Sequence, residues 1–182
     1  MVSDSRADMV TSAAALIGSR GLNATSFAEV LAESGAPRGS IYHHFPKGKE
    51  QLTNEAIELV SERLLAYLRA GPSDRPEHVL AYFIDLWRRV VVASNGTAGC
   101  AVAGVAVDTN DEPIVMDHVR DIFRSWINEL ARQLERVGMS PQQSVSTART
   151  ALAAMEGALI LCRAEGSVEP LNDVAVQLLR LV

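Results

Sequence analysis

Apolar residues along this chain recur at intervals of three and four, the spacing that keeps them on one face of an α-helix, and nowhere settle into the strict alternation of a half-buried strand. No segment repeats at a fixed period, so the pattern predicts an all-α fold rather than a repeat array. The breaks between helices are equally legible. Ser26, followed three residues later by Glu29, fits a capping box, so a helix is expected to begin at Ser26 or Phe27. It carries Phe27, Val30 and Leu31 at helical spacing and stops at Ser34-Gly35, where glycine tolerates the left-handed conformation that ends a helix. A second helix is expected from Pro37, whose fixed φ suits a first turn. In it Ile41 and Phe45 share one face at i, i+4, which leaves Arg38, Gly39, Tyr42 and His43 on the other. Two short helices around a glycine turn outline a helix-turn-helix.

Beyond Leu52 the same period predicts a long helix from about Lys49 to Arg69, with Leu52, Ala56, Leu59, Val60, Arg63 and Tyr67 along it, ended by GPSDRP. The next runs from about Glu77 to Ala93 and is followed by the glycine-rich SNGTAG. A short apolar helix through Cys100 to Val107 stops at DTNDEP, where Asp111 is expected to cap a helix from about Pro113 to Val137. Gly138 and Pro141 separate this from a helix reaching Ala164, and a last one begins near Pro170 and continues to the chain's end. The expectation is about nine helices.

The outward face of the second short helix carries the chemistry. Between Glu33 and Glu50 there is no acidic residue, while Arg38, Lys47, Lys49 and the two histidines His43 and His44 fall inside that window. Such a face suits double-stranded DNA, because phosphates attract cations and an acid would repel them. Ser40, Tyr42 and His44 can donate to phosphate oxygens, Arg38 can donate two hydrogen bonds to a guanine edge, and Gly39 lets the backbone approach the groove floor. Spacing alone leaves a second reading open, a solvated helix with a few tolerated cations.

The string GAPRGSIYHHFPKGKEQL resembles the TetR family of bacterial transcriptional repressors, whose helix-turn-helix commonly ends in Gly-Ser/Thr-Leu/Ile-Tyr-x-His-Phe followed closely by Lys-Glu-x-Leu. The resemblance covers about the first fifty residues, including a preceding helix from about Asp4 to Arg20. The Lys-Gly insertion before Lys49, the Gly99-Cys100 pair and the run GCAVAGVAVDT further resemble the LmrA/YxaF-like branch. The resemblance implies that Tyr42 and His44 contact phosphates, that Lys49 does so at the start of the next helix, and that Arg38, Gly39 and His43 face the groove. Two departures matter. Pro37 stands where relatives often have a hydroxyl residue, and the Pro46-Lys47-Gly48 loop is one residue longer than the commonest form, which allows Lys47 part of the role given to Lys49. The implied organisation is a three-helix DNA-binding head over residues 1–48 and a helical effector-binding and dimerisation body over 49–182. The implied function is a ligand-responsive repressor, released from a palindromic DNA operator by a small apolar effector.

Composition limits these readings without redirecting them. At 182 residues, 48% of them hydrophobic, the chain can bury a substantial core. Its formal net charge of −5 argues against a general nucleic-acid coat and allows only a local basic patch. No stretch is expected to reach the length needed to cross a membrane, and the polar start lacks the segments of a signal peptide, so a cytoplasmic protein with no membrane partner is expected. Cys100 and Cys162 lie far apart without CxxC spacing, so neither zinc nor a structural disulfide is expected. His78 and His118 stand alone, and the vicinal His43 and His44 point about 100 degrees apart on a helix, unsuited to sharing a metal. No catalytic or cofactor-binding motif appears, so the chain reads as no enzyme; a helical enzyme or thiol sensor using Cys100 is the alternative.

An effector would be expected in the apolar middle, with Phe83, Trp87, Met116, Phe123 and Trp126 on two helices flanking the Cys100 segment. For a homodimer the candidates are Ala151, Ala154, Met155 and Ala158, with Ala153 and Gly157 beside them, and the stripe Leu171, Val174, Leu178 and Leu179 of the last helix. Both sets have the alternative of being plain core.

Overall fold

The computed structural model describes residues 5–109 and 113–182. Among these the regular structure is entirely helical: α1 (Ser5–Arg20), α2 (Phe27–Ser34), α3 (Ser40–His44), α4 (Gly48–Arg69), α5 (Pro76–Ala93), α6 (Ala101–Asp108), α7 (Pro113–Arg136), α8 (Pro141–Glu165) and α9 (Glu169–Leu178), closed by a 3₁₀ turn over Leu179–Leu181. The chain divides into two compact units, Met1–Glu62 with Cys100–Ile122, and Arg63–Gly99 with Phe123–Val182.

In the first unit α1 packs against α2, α3 and α6. Met9, Ala13 and Ile17 of α1, Val30 of α2, and Ile41 and Phe45 around α3 are all buried. Removing the methionine, valine, isoleucine and phenylalanine side chains of this set from water stabilises by roughly 1.5–3 kcal/mol each, and Ile41 and Phe45 anchor so short an α3 in this way. The approach of α6 to α1 depends on two glycines. A Cβ on Gly104 would lie 3.0 Å from the Ile17 carbonyl oxygen. Gly21, at φ +85°, would place one 2.6 Å from the Asp108 carboxylate, which accepts a hydrogen bond from the Asn23 N–H at 3.0 Å.

The second unit is built on the apolar faces of α5 and α8, which pack on each other, with α9 against both. Val79, Leu80, Phe83, Ile84, Trp87 and Val91 form the inner face of α5, and Ala148, Ala151, Leu152, Met155, Ala158, Leu159 and Cys162 that of α8. Ser140 caps the start of α8, and Gly166, at φ 63°, ends it in the left-handed conformation. The buried Gln133 amide donates to the Leu68 carbonyl at 2.7 Å, satisfying an α4 carbonyl that burial would otherwise strand.

Four sequence expectations need comment. α3 starts at Ser40, not Pro37, because the Pro37 carbonyl accepts both the Ser40 N–H and the Ser40 hydroxyl, at 3.0 and 2.7 Å, and so closes a tight turn first. The last helix gives way to the 3₁₀ turn after Leu178 instead of running to the end. The expectation of no membrane-length stretch is corrected: α8 has 25 residues and a mean hydropathy of 1.3 over its most apolar window, enough by length and composition to span a bilayer. Its apolarity has another account, since one of its faces is core. The capping role expected of Asp111 lies outside the described residues.

Candidate nucleic-acid interface

The helix-turn-helix is fixed from its caps outward. The Ser26 hydroxyl accepts from the Glu29 N–H at 3.3 Å, and the Glu29 carboxylate accepts in return from the Ser26 N–H at 2.8 Å, which completes the capping box expected at the start of α2. The Ser26 backbone N–H, then its hydroxyl and the nearby Arg20, hold the Glu29 carboxyl below its ordinary value. Gly35 closes α2 at φ 68° with open space around it, so glycine serves conformation there and not packing.

With Ile41 and Phe45 turned inward, Arg38, Gly39, Tyr42 and His43 are exposed, His44 is half-buried, and Tyr42 is 71% exposed. Tyr42 is steadied by the edge of Phe27, the two rings meeting at 80° with centroids 5.8 Å apart. Arg38 and Gly39 belong to the turn before α3, not to the helix itself. The Ser40 hydroxyl is engaged by Pro37 as described.

The two lysines part company. Both are exposed, but the Lys47 contact is made by its backbone N–H, which donates to the Gln51 side chain at 3.2 Å. The Lys49 ammonium instead donates to the Leu22 carbonyl at 2.7 Å, tying the start of α4 to the loop after α1. Arg6 adds a second tie, pairing with Glu55 at 2.7 Å while its guanidinium lies 5.5 Å from the centre of the Phe45 ring. Neither Lys49's bond nor Arg6's double role has a signal in residue spacing.

Of the residues considered for an effector, Cys100 and Met116 fall in the first unit, and Phe83, Trp87, Phe123 and Trp126 in the second. Phe83, Trp87 and Trp126 are buried, while Phe123 and Met116 are half-buried. Phe83 meets Trp87, and Phe123 meets Trp126, edge to face at 6.0 and 5.6 Å. Cys100 is buried and caps α6, its sulfur accepting from the Ala103 N–H at 3.5 Å; neither Cys100 nor Cys162 is in a disulfide. Among the described residues no group of His, Cys, Asp and Glu is arranged to hold a metal.

Of the dimer candidates, Ala151, Met155, Ala158, Leu171 and Leu178 are buried inside the second unit, and Ala154 and Val174 are half-buried. The open side of α8 is the neighbouring stripe, Ala153, Gly157, Ile160, Leu161 and Ala164. This side exposes large apolar residues, Ile160 at 70% and Leu161 at 49%, and Val176 of α9 and Leu181 beyond it are exposed as well.

An acid-free cationic turn and helix, presented outward by a cap-locked three-helix core, define a helix-turn-helix DNA-binding protein. The comparisons place it. Residues 10–56 match the profile of the bacterial regulatory proteins of the tetR family, and residues 76–177 that of the transcriptional regulator LmrA/YxaF-like C-terminal domain. The HTH-type transcriptional regulator Rv0196 of Mycobacterium tuberculosis strain H37Rv is 34% identical over 184 residues, spanning 97% of this chain and 93% of that protein. The HTH-type transcriptional regulator LmrA of Bacillus subtilis strain 168 is 27% identical over 177 residues, spanning 94% and 93%. The crystal structure of a TetR transcriptional regulator from Legionella pneumophila shares the fold, with a TM-score of 0.88 at 24% identity over 100% of this chain and 98% of that one. The chain belongs to the TetR family of bacterial transcriptional regulators, in its LmrA/YxaF-like branch. Members of this family bind DNA operators as dimers and regulate transcription; they are not enzymes.

Proposed function

We propose that this protein is a repressor that binds a two-fold operator and leaves it when a small apolar effector occupies the second unit. The observation that carries the DNA contact is the exposed face Arg38, Gly39, Tyr42, His43, free of acids from Ala36 to Lys49 and seated on buried Ile41 and Phe45. Arg38 reads base edges, with Gly39 and His43 beside it in the groove, while Tyr42 and His44 donate to phosphates. Lys47 shares the phosphate contact that resemblance assigns to Lys49, whose exposed ammonium gives one of its three N–H donors to the Leu22 carbonyl.

Two protomers meet through the exposed stripe of α8 and α9, where Ile160, Leu161 and Val176 supply apolar area that water does not favour. The effector sits among Phe83, Trp87, Phe123 and Trp126, all within the second unit. Its binding favours a conformation of lower operator affinity, which is the two-state coupling that release from DNA requires. A cytoplasmic location fits contact with DNA.

A gel-shift titration with DNA from upstream of the protein's own gene tests the reading, followed by a footprint. A protected, roughly palindromic site supports it; binding of equal strength to unrelated DNA at the same salt refutes it.

A further inference from the structure

Trp87 is 4% exposed, and its indole Nε1 has no hydrogen-bond partner among the described residues. Buried polar groups are almost always paired, so an orphan calls for an account. The buried Ser144 hydroxyl near the start of α8, in the same unit, can be satisfied by rotation toward its own helix's carbonyls. An indole N–H cannot: it is a single donor fixed in the ring plane. Its own helix does not offer the two to four polar partners that a water needs. The helical neighbours of Trp87 at i±3 and i±4 are Phe83, Ile84, Val90 and Val91, all apolar, and the buried face of α8, which packs against this helix, is mainly alanine, leucine and methionine, with Ser144 and Thr147 near its start and Cys162 near its end. The flanking cations are occupied, Arg88 with Asn172 and Arg89 with Asp85.

We propose that Trp87 is the specificity-determining anchor of the effector site, donating its indole N–H to an acceptor oxygen on an uncharged, otherwise apolar ligand. The inference rests on the effector reading above and deepens it. The ring of Trp87 supplies apolar area that any hydrophobic ligand can use, whereas the N–H discriminates between ligands of the same shape with and without an acceptor. A donor left unpaired by the wrong ligand is a penalty against that ligand, so one group yields both affinity and selectivity.

The test uses acetophenone and α-methylstyrene, which share a shape but differ in C=O against C=CH₂. The full-length protein, carrying ¹⁵N-labelled indole, has two tryptophan side-chain signals, from Trp87 and Trp126, assigned with Trp126→Phe. Acetophenone should shift the Trp87 N–H signal downfield and α-methylstyrene should not. In Trp87→Phe, which keeps the aromatic ring, affinity for acetophenone should fall about three- to tenfold, the range of one hydrogen bond, while affinity for α-methylstyrene stays within about twofold. Operator binding by the ligand-free variant shows that it folds, and the wild-type spectra decide the matter if it does not. No Trp87 shift with acetophenone, an equal loss for both probes, or no binding of either would overturn the anchor. A Trp87 shift without release of operator would leave the anchor standing and refute effector-driven release, so the two ideas fail separately.

Discussion

At the scale of single residues, the DNA-reading face separates side chains that hold the head together from side chains that meet the operator. Lys47 and Lys49 are both exposed, and Lys49 gives one of its three ammonium donors to the Leu22 carbonyl. Lys47→Ala should therefore lower the slope of log affinity against log salt by about one unit, for operator and unrelated DNA alike. Lys49→Ala should lower that slope as well, because its ammonium keeps its charge and two donors, and should in addition reduce thermal stability; a slope change confined to Lys49→Ala would assign the phosphate to Lys49 alone. Arg38→Ala should cost about 1–3 kcal/mol at preferred sites and relax their sequence preference, measured over a panel of mutated operators. Glu29 gives a stability prediction with a definite sign. Its folded carboxyl titrates below the ordinary 4.5, first because of the Ser26 backbone N–H. Its stabilisation is therefore present above that value and is lost as pH falls through the folded one. Glu29→Gln should unfold at lower temperature than wild type at pH 7, and the gap should close toward pH 3. Ser26→Ala should cost about 1 kcal/mol by removing the hydroxyl half of the same box. The box and the outward set of α3 were legible because caps and i, i+4 faces are local. The Lys49–Leu22 bond was not, since its partner is a backbone carbonyl that any residue at position 22 would offer.

At the scale of elements, most helix boundaries were legible from the residues that cap them. Ser26 and Gly35 fall at the two ends of α2, and Gly138 and Pro141 at the break between α7 and α8, where their chemistry predicts. The start of α3 was not legible, because Pro37 suits a turn as well as a first helical turn, and only the double hydrogen bond from Ser40 decides between them. α8 shows a different limit. It carries two apolar stripes, one through Ala151, Met155 and Ala158 and one through Ala153, Gly157 and Ile160, and periodicity assigns neither to the inside. The side chains separate them: the first is buried within the unit and the second is open. A charge on each should then have different consequences. Ile160→Asp should give a folded, helical protein that sediments as a monomer, because an ion pressed into an apolar interface is desolvated without a partner. Met155→Asp should unfold the protomer itself. An Ile160→Asp protein that stayed dimeric would move the interface off this stripe.

At the scale of the whole molecule, a chain with formal net charge −5 presents an acid-free cationic face at one helix-turn-helix. Repulsion between the protein's overall charge and DNA disfavours contacts made by any other surface, so the charge distribution favours the intended docking. A two-fold pair of such heads should protect half-sites whose centres lie about one helical turn, or a multiple, apart. Control by an effector adds a constraint that holds whatever the path of coupling inside the molecule. If a compound lowers operator affinity by some factor, operator must lower affinity for that compound by the same factor, because both describe one free-energy difference between the same four states. The prediction is tested with whichever compound releases the operator in a gel shift, titrated by calorimetry into free protein and into protein saturated with operator fragment. Tenfold weaker operator binding at saturating compound should appear as a tenfold weaker compound affinity on DNA. Equal compound affinities would mean that release does not come from reversible binding of the compound to the protein, and control through a site in the second unit would then be the wrong account of this repressor.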